Sequence, residues 1–238
     1  MESTSDTTVR DWFAGPLGAR VLREEAALAT LALDTVFGFE LLQVGAWGPA
    51  RHLLDGARTQ HTTLLAPELD AGVTLCAPLD TLPFRSDSID AILLPHTLEL
   101  VEDPYAVLRE AERVLTGEGC LMICGFNPFS GWGARRLSAR YFGRAEFPPG
   151  TLRMLSERRL RDWVALLGFD VDSVHGYLGF LPLKGGAVDV QPRRALTAGA
   201  YLLKARKRVS TLTLVRPRRR VRQRVLVGAA EPTNKVGP

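Results

Sequence analysis

The chain has 238 residues, of which 46% are hydrophobic and 24% charged, enough apolar content for one soluble core without covalent or metal staples. Its net charge of +4 is uneven, because twelve Lys or Arg and no acid lie between Arg193 and Arg224, which leaves 18 basic against 26 acidic residues elsewhere. The first thirty residues lack the basic, apolar and small-residue pattern of a leader, and no run approaches the ~18 to 20 apolar residues of a membrane span, so a cytoplasmic protein without membrane contact is expected.

In chain order, residues 6–37 carry a helical pattern, with Trp12 and Phe13 in a short first piece and then Leu17, Val21, Leu22, Ala26, Ala29, Leu33 and Val36 at spacings of mostly three and four. Strand-like apolar runs follow at 39–45, 62–66, 73–77 and 89–94. ELLQVG and AILLP read as strands covered on both faces, as parallel strands are. A short helix is predicted over 50–57. Asp103 offers an N-cap and Pro104 a first helical position, before Val107, Leu108, Ala111, Val114 and Leu115 at helical period, with Gly117 as the stop.

The run 120–126 reads as another buried strand and contains Cys120 and Cys124; with Cys76 these are too few and scattered for a disulfide framework, so a reducing compartment is expected. After an irregular stretch, Ser156 caps a helix to Leu167, which Gly168 stops, and strands over 169–175 and 200–209 close the domain. Strand and helix in alternation imply a doubly wound α/β sheet with helices on both faces. The expected organisation is an N-terminal helical segment (1–38), an α/β domain (39–209) and a basic tail (210–238). Lys204, Arg206 and Arg208 alternate as the solvated face of a strand would.

The stretch 82–127 resembles the type-11 branch of class I S-adenosylmethionine-dependent methyltransferases. The resemblance rests on Leu82-Pro83-Phe84, Ile89-Asp90, Asp103-Pro104, Leu108-Arg109-Glu110, Arg113-Val114-Leu115 and the glycines Gly117 and Gly119. The segment GFNPFSGWGARR and the later ARKRVSTLTLVRPR also resemble a narrower set of uncharacterised bacterial methyltransferase-like proteins. The resemblance spans roughly 39–209. It implies a seven-stranded, Rossmann-like, mostly parallel sheet whose last strand is antiparallel, with cofactor and substrate at the carboxyl ends of the strands.

The same resemblance implies S-adenosyl-L-methionine as cofactor, held at the first strand-to-helix turn by Gln43, Gly45, Trp47 and Gly48. Further contacts are implied from Glu68 past strand two, Leu79 and Asp80 past strand three, and Pro95 at the end of strand four. Family members carry three glycines in that first turn because a backbone without Cβ curls around the ligand. Here Gly45 falls on a family glycine, while Trp47 and Pro49 replace the other two. Ala66 stands where the family places its ribose-binding acid, which accepts two hydrogen bonds from a diol, and Pro78 stands where an acid lies near the adenine.

Methyl transfer from a sulfonium is an in-line displacement that depends mainly on positioning. His96 is the candidate catalytic residue, since an imidazole titrating near ~6.5 accepts a proton from a hydroxyl or amine nucleophile; an ordinary loop histidine is the competing reading. Asn127 either orients a substrate or makes an Asn-Pro turn. The stretch 129–147, which carries aromatics with Arg135, Arg136, Arg140 and Arg144, reads either as a lid over an acidic or aromatic substrate or as an amphipathic surface helix. No HExxH, CxxC pair, GxSxG or GxxxxGK[ST] occurs, so no metal, hydrolase or nucleoside triphosphatase site is expected. Two functions follow: a methyltransferase of unknown acceptor, or an inactive binding module of the same fold. In either case the arginine-rich tail is expected to bind polyanions weakly and without sequence preference.

Overall fold

The computed structural model describes residues 4–47, 51–70, 72–135, 152–179, 198–209 and 237. Two helices, α1 (Thr4–Ala14) and α2 (Pro16–Leu33), precede β1 (Glu40–Val44), β2 (His61–Ala66), β3 (Leu75–Cys76) and β4 (Ile89–Pro95). Then come α3 (Thr97–Leu100), α4 (Pro104–Val114), β5 (Leu115–Phe126), α5 (Glu157–Leu166), β6 (Phe169–Tyr177) and β7 (Ala200–Lys207). The seven strands form one sheet in the order β3-β2-β1-β4-β5-β7-β6. Pairing is parallel from β3 through β5, and β7 runs antiparallel to both β5 and β6. This is the Rossmann-like arrangement expected from the sequence.

The core lies on both faces of the sheet. One apolar cluster packs α1 and α2, through Val9, Phe13, Val21, Leu28 and Leu33, against Leu41, Leu93, Met122 and Leu202. The other packs α4 and α5, through Val107, Leu108, Ala111, Leu160 and Val164, against Leu42, Ile92, Leu121 and Leu203. Alternate residues of the central strands serve opposite faces, which is why these strands read as unbroken apolar runs.

The motif residues of 82–115 touch one another. Arg113 on α4 donates to the carbonyls of Leu82 and Phe84 and pairs with Glu110 at 2.8 Å, while Glu110 accepts from the Leu82 amide. The hydrogen bond from Arg113 holds the Glu110 carboxyl below its usual range. Asp90 accepts from the amides of Phe39 and Glu40 and so fixes where β1 begins. Glu110 and Arg113 of the LRE…RVL helix thus clamp the LPF turn, and Asp90, inside β4, separately ties down the start of β1.

Several expectations are corrected. No helix forms over 51–56, where the chain runs in turns. β3 shrinks to Leu75–Cys76. α4 ends at Val114 and not at Gly117, because Leu115 is already paired with Ile89 and its carbonyl, like that of Glu112, is taken by Lys207 Nζ. Lys204 is buried and not solvated: its ammonium donates at 2.7 Å to Ala32 O and Thr35 Oγ1 and so closes the carboxyl end of α2. Arg206 and Arg208 do face outward, paired with Asp172 and Asp170. The tail 210–236 and the arginines at 136, 140 and 144 lie outside the described residues.

Candidate active site

Parallel strands leave their carbonyl ends on one edge of the sheet, and the strand order reverses between β1 and β4, the place where open α/β sheets bind ligands. The chain leaves β1 through Gly45 in a left-handed conformation (φ +97°). A Cβ there would stand 2.6 Å from Thr97 Oγ1 and 3.1 Å from Trp47 Nε1, so the turn excludes any side chain. The Gly45 amide donates to Leu65 O at 2.8 Å, and Gln43 Nε2 donates to Gly45 O at 2.9 Å.

Two polar atoms at this turn are buried without a hydrogen-bond partner: Gln43 Oε1, an acceptor, and Trp47 Nε1, a donor. The indole is only 8% exposed and belongs to the apolar cluster beneath α1 and α2. Unpaired buried polar groups cost about 1–3 kcal/mol each, so both atoms are left with unmet hydrogen-bonding capacity beside the switch point. Ala66, buried, ends β2, and Glu68 follows it, half-buried. Leu79 and Asp80 lie in the turn after β3, Leu79 half-buried and Asp80 exposed. Pro95, buried, ends β4 in register with Cys124. The expected cofactor residues therefore share one edge of the sheet, apart from Gly48, which lies outside the described residues.

His96 follows Pro95 in a left-handed backbone conformation (φ 51°) and is 0% exposed. Its amide donates to Cys124 O at 3.0 Å, and its ring stacks on Phe126, with Phe13 of α1 on another side. Nδ1 lies 2.7 Å from Glu99 Oε2; Nε2 lies 3.5 Å from Glu25 Oε2 and 3.4 Å from the Tyr177 hydroxyl. The second Glu99 oxygen accepts from the Phe126 amide at 2.9 Å. The Glu25 carboxylate, wholly buried on α2, faces the imidazole at ion-pair distance. Burial by itself lowers the histidine's pKa, but Glu25 and then Glu99 outweigh it and push the value up to about 10. Glu99 is raised by its burial, against the pull of His96. Burial likewise pushes up the Cys124 thiol and the Tyr177 phenol.

Sequence reasoning found His96 but missed its partners. Glu25 was legible as an acid on an apolar stripe, three and four residues from Val21, Leu22, Leu28 and Ala29. Glu99, Thr97 and Tyr177 carried no such signal, since only the fold brings them to His96 and Gly45. Asn127 makes a turn: its amide group donates to Ala198 O and its Oδ1 accepts from Phe129 N. Trp132, in the segment expected as lid or surface helix, is buried and donates to Gly179 O at 2.8 Å.

The methyltransferase-domain family matches residues 50–123, a stretch that begins just past the Gly45 turn. The uncharacterised protein YafS of Escherichia coli K12 is 32% identical over 203 residues, covering 84% of this chain and 82% of YafS. The malonyl-[acyl-carrier protein] O-methyltransferase of Halorhodospira halophila is 35% identical over 72 residues, 30% of this chain and 24% of that protein. Among solved structures, an S-adenosylmethionine-dependent methyltransferase of Thermotoga maritima shares the fold with a TM-score of 0.62 at 19% identity, over 79% of this chain and 92% of that one.

Proposed function

The chain belongs to the family of YafS and carries the methyltransferase domain, and from that premise we propose that it is an S-adenosylmethionine-dependent methyltransferase with its cofactor at the Gly45 turn. The observation that carries the reading is the turn itself, a left-handed glycine with no room for a Cβ beside one orphaned acceptor and one orphaned donor. The amino-acid end of the cofactor has the complementary groups, an ammonium for Gln43 Oε1 and a carboxylate for Trp47 Nε1. Glu68, Leu79, Asp80 and Pro95 border the remainder. When bound, the cofactor supplies an electrophilic methyl on a sulfonium, and the protein's part is to hold an acceptor in line with it.

Within this reading His96 is not a free base. Held between Glu25 and Glu99 it keeps its proton at neutral pH and orients the groups around it. It accepts a proton from an acceptor only when Glu25 and Glu99 are drawn away.

Isothermal calorimetry tests the proposal. S-adenosylmethionine or S-adenosylhomocysteine should bind, and Gly45→Arg should abolish binding, since any side chain there meets Thr97. Absence of binding of both ligands at millimolar concentration would sink it. The second reading, a methyltransferase-fold binding module without catalysis, draws on the buried Trp47 and on neutral Ala66 at the end of β2. A ligand-bound structure separates the two: an adenosyl group seated over Gly45 supports the enzyme, and an indole occupying that place supports the module. For either, the basic tail is proposed to bind polyanions by charge.

A further inference from the structure

The cofactor turn is held from three directions. Leu65 O on β2 receives the Gly45 amide, Gln43 bonds the Gly45 carbonyl, and the third support comes from the corner after β4. There Thr97, fully buried, donates its hydroxyl to Val44 O, the carbonyl just before Gly45, with Pro95 O a second acceptor at 3.2 Å. The same Oγ1 bounds the space that only glycine leaves free at Gly45.

What puts Thr97 there is His96. A left-handed backbone is unfavourable for a non-glycine residue, and it persists only where the surroundings over-determine it. His96 has such surroundings: its amide is tied to Cys124 O, its ring lies on Phe126, Nδ1 meets Glu99, and Nε2 faces Glu25. Glu25 of α2, with Phe13 of α1 against the ring, comes from the N-terminal helix pair, so the corner links the docking of these helices to the turn.

We infer that Thr97 is a positioning residue for the cofactor turn and that Glu25 of α2 acts on the same turn through His96. The inference rests on the cofactor reading above and names residues outside the turn that set its shape. Removal of the Thr97 hydroxyl frees Val44 O and lets the turn open, while loss of the Glu25 charge relaxes the imidazole that holds the corner. The N-terminal helices thereby become part of the cofactor site although none of the residues proposed to contact the ligand lies on them.

The experiment measures amide hydrogen exchange at 45–47 in the ligand-free full chain and S-adenosylhomocysteine binding by calorimetry, for wild type, Thr97→Ser, Thr97→Val and Glu25→Gln. Thr97→Ala, which lacks the hydroxyl and adds no bulk, serves as a second deletion variant. Thr97→Ser should match wild type in both measurements. Thr97→Val and Thr97→Ala should each speed exchange at the turn and weaken ligand binding roughly tenfold, the scale of one buried hydrogen bond, with protection at 121–123 retained. Glu25→Gln should shift the same turn amides in the same direction by a smaller factor. Turn exchange unchanged in both hydroxyl-deletion variants, or equal loosening at 121–123, would overturn the role of Thr97; unchanged exchange in Glu25→Gln would overturn that of Glu25. If wild type binds no ligand while the turn amides respond as expected, the cofactor reading falls and the positioning role stands.

Discussion

At the scale of single residues, the buried histidine governs how stability depends on pH. His96 titrates near 6.5 when unfolded and is pushed up to about 10 when folded, so its contribution is complete below pH 6.5 and is lost as pH rises through about 10. The groups facing it are Glu25 from α2, Glu99 from α3, Tyr177 from β6 and Cys124 from β5. Tyr177 and Cys124, pushed up by burial, stay protonated between pH 6.5 and 8.5, and Glu99, also raised, has the same sign as His96. Urea unfolding should therefore show stability falling over that window by up to about 1.4 kcal/mol per pH unit. The slope should flatten in His96→Gln, and an equal slope there would assign the effect to other groups. His96 itself was legible from its place after a buried strand. Its meaning was not, because an exposed rim histidine and one locked between two glutamates look alike in the string LLPHT.

At the scale of elements, local chemistry was read well wherever it was local. Asp103 caps α4 by accepting from the amides of Tyr105 and Ala106, with Pro104 at the first helical position. Loss of that cap in Asp103→Ala should cost about 1 kcal/mol, measured as a lowered midpoint in thermal unfolding with the cofactor affinity unchanged. Ser156 and Gly168 (φ +85°) bracket α5 in the same manner. Errors arose where pairing overrode local preference. Leu115 leaves α4 for the sheet, and the apolar residues 53 and 54, taken for a helix, pack into the core from turns. Lys204 alternated like a solvated strand residue until the carboxyl end of α2 turned out to lie over it.

At the scale of the whole molecule, the basic excess remains a property of the C-terminal segment. RPRRRVRQR holds six arginines in nine residues, whereas Lys204, Lys207, Arg206 and Arg208 are engaged with the fold. Removal of everything after Val215 should therefore abolish the weak binding of RNA and DNA proposed for the tail. In the intact chain log affinity should fall with log salt by roughly 0.9 per duplex phosphate contacted. Binding that survives the truncation, or ignores salt, would leave the tail without that role. Among the described residues no helix is long and apolar enough to cross a membrane. The sequence alone determined the layered α/β architecture and the caps of α4 and α5, because these follow from periodicity and local capping chemistry. Only the tertiary structure decided that Glu25, Glu99 and Tyr177 enclose His96 and that Thr97 supports Gly45. Apart from Glu99, which is three positions from His96, these contacts join distant parts of the chain, 53 positions from Thr97 to Val44 and 81 from His96 to Tyr177, and no local pattern encodes a separation of that kind.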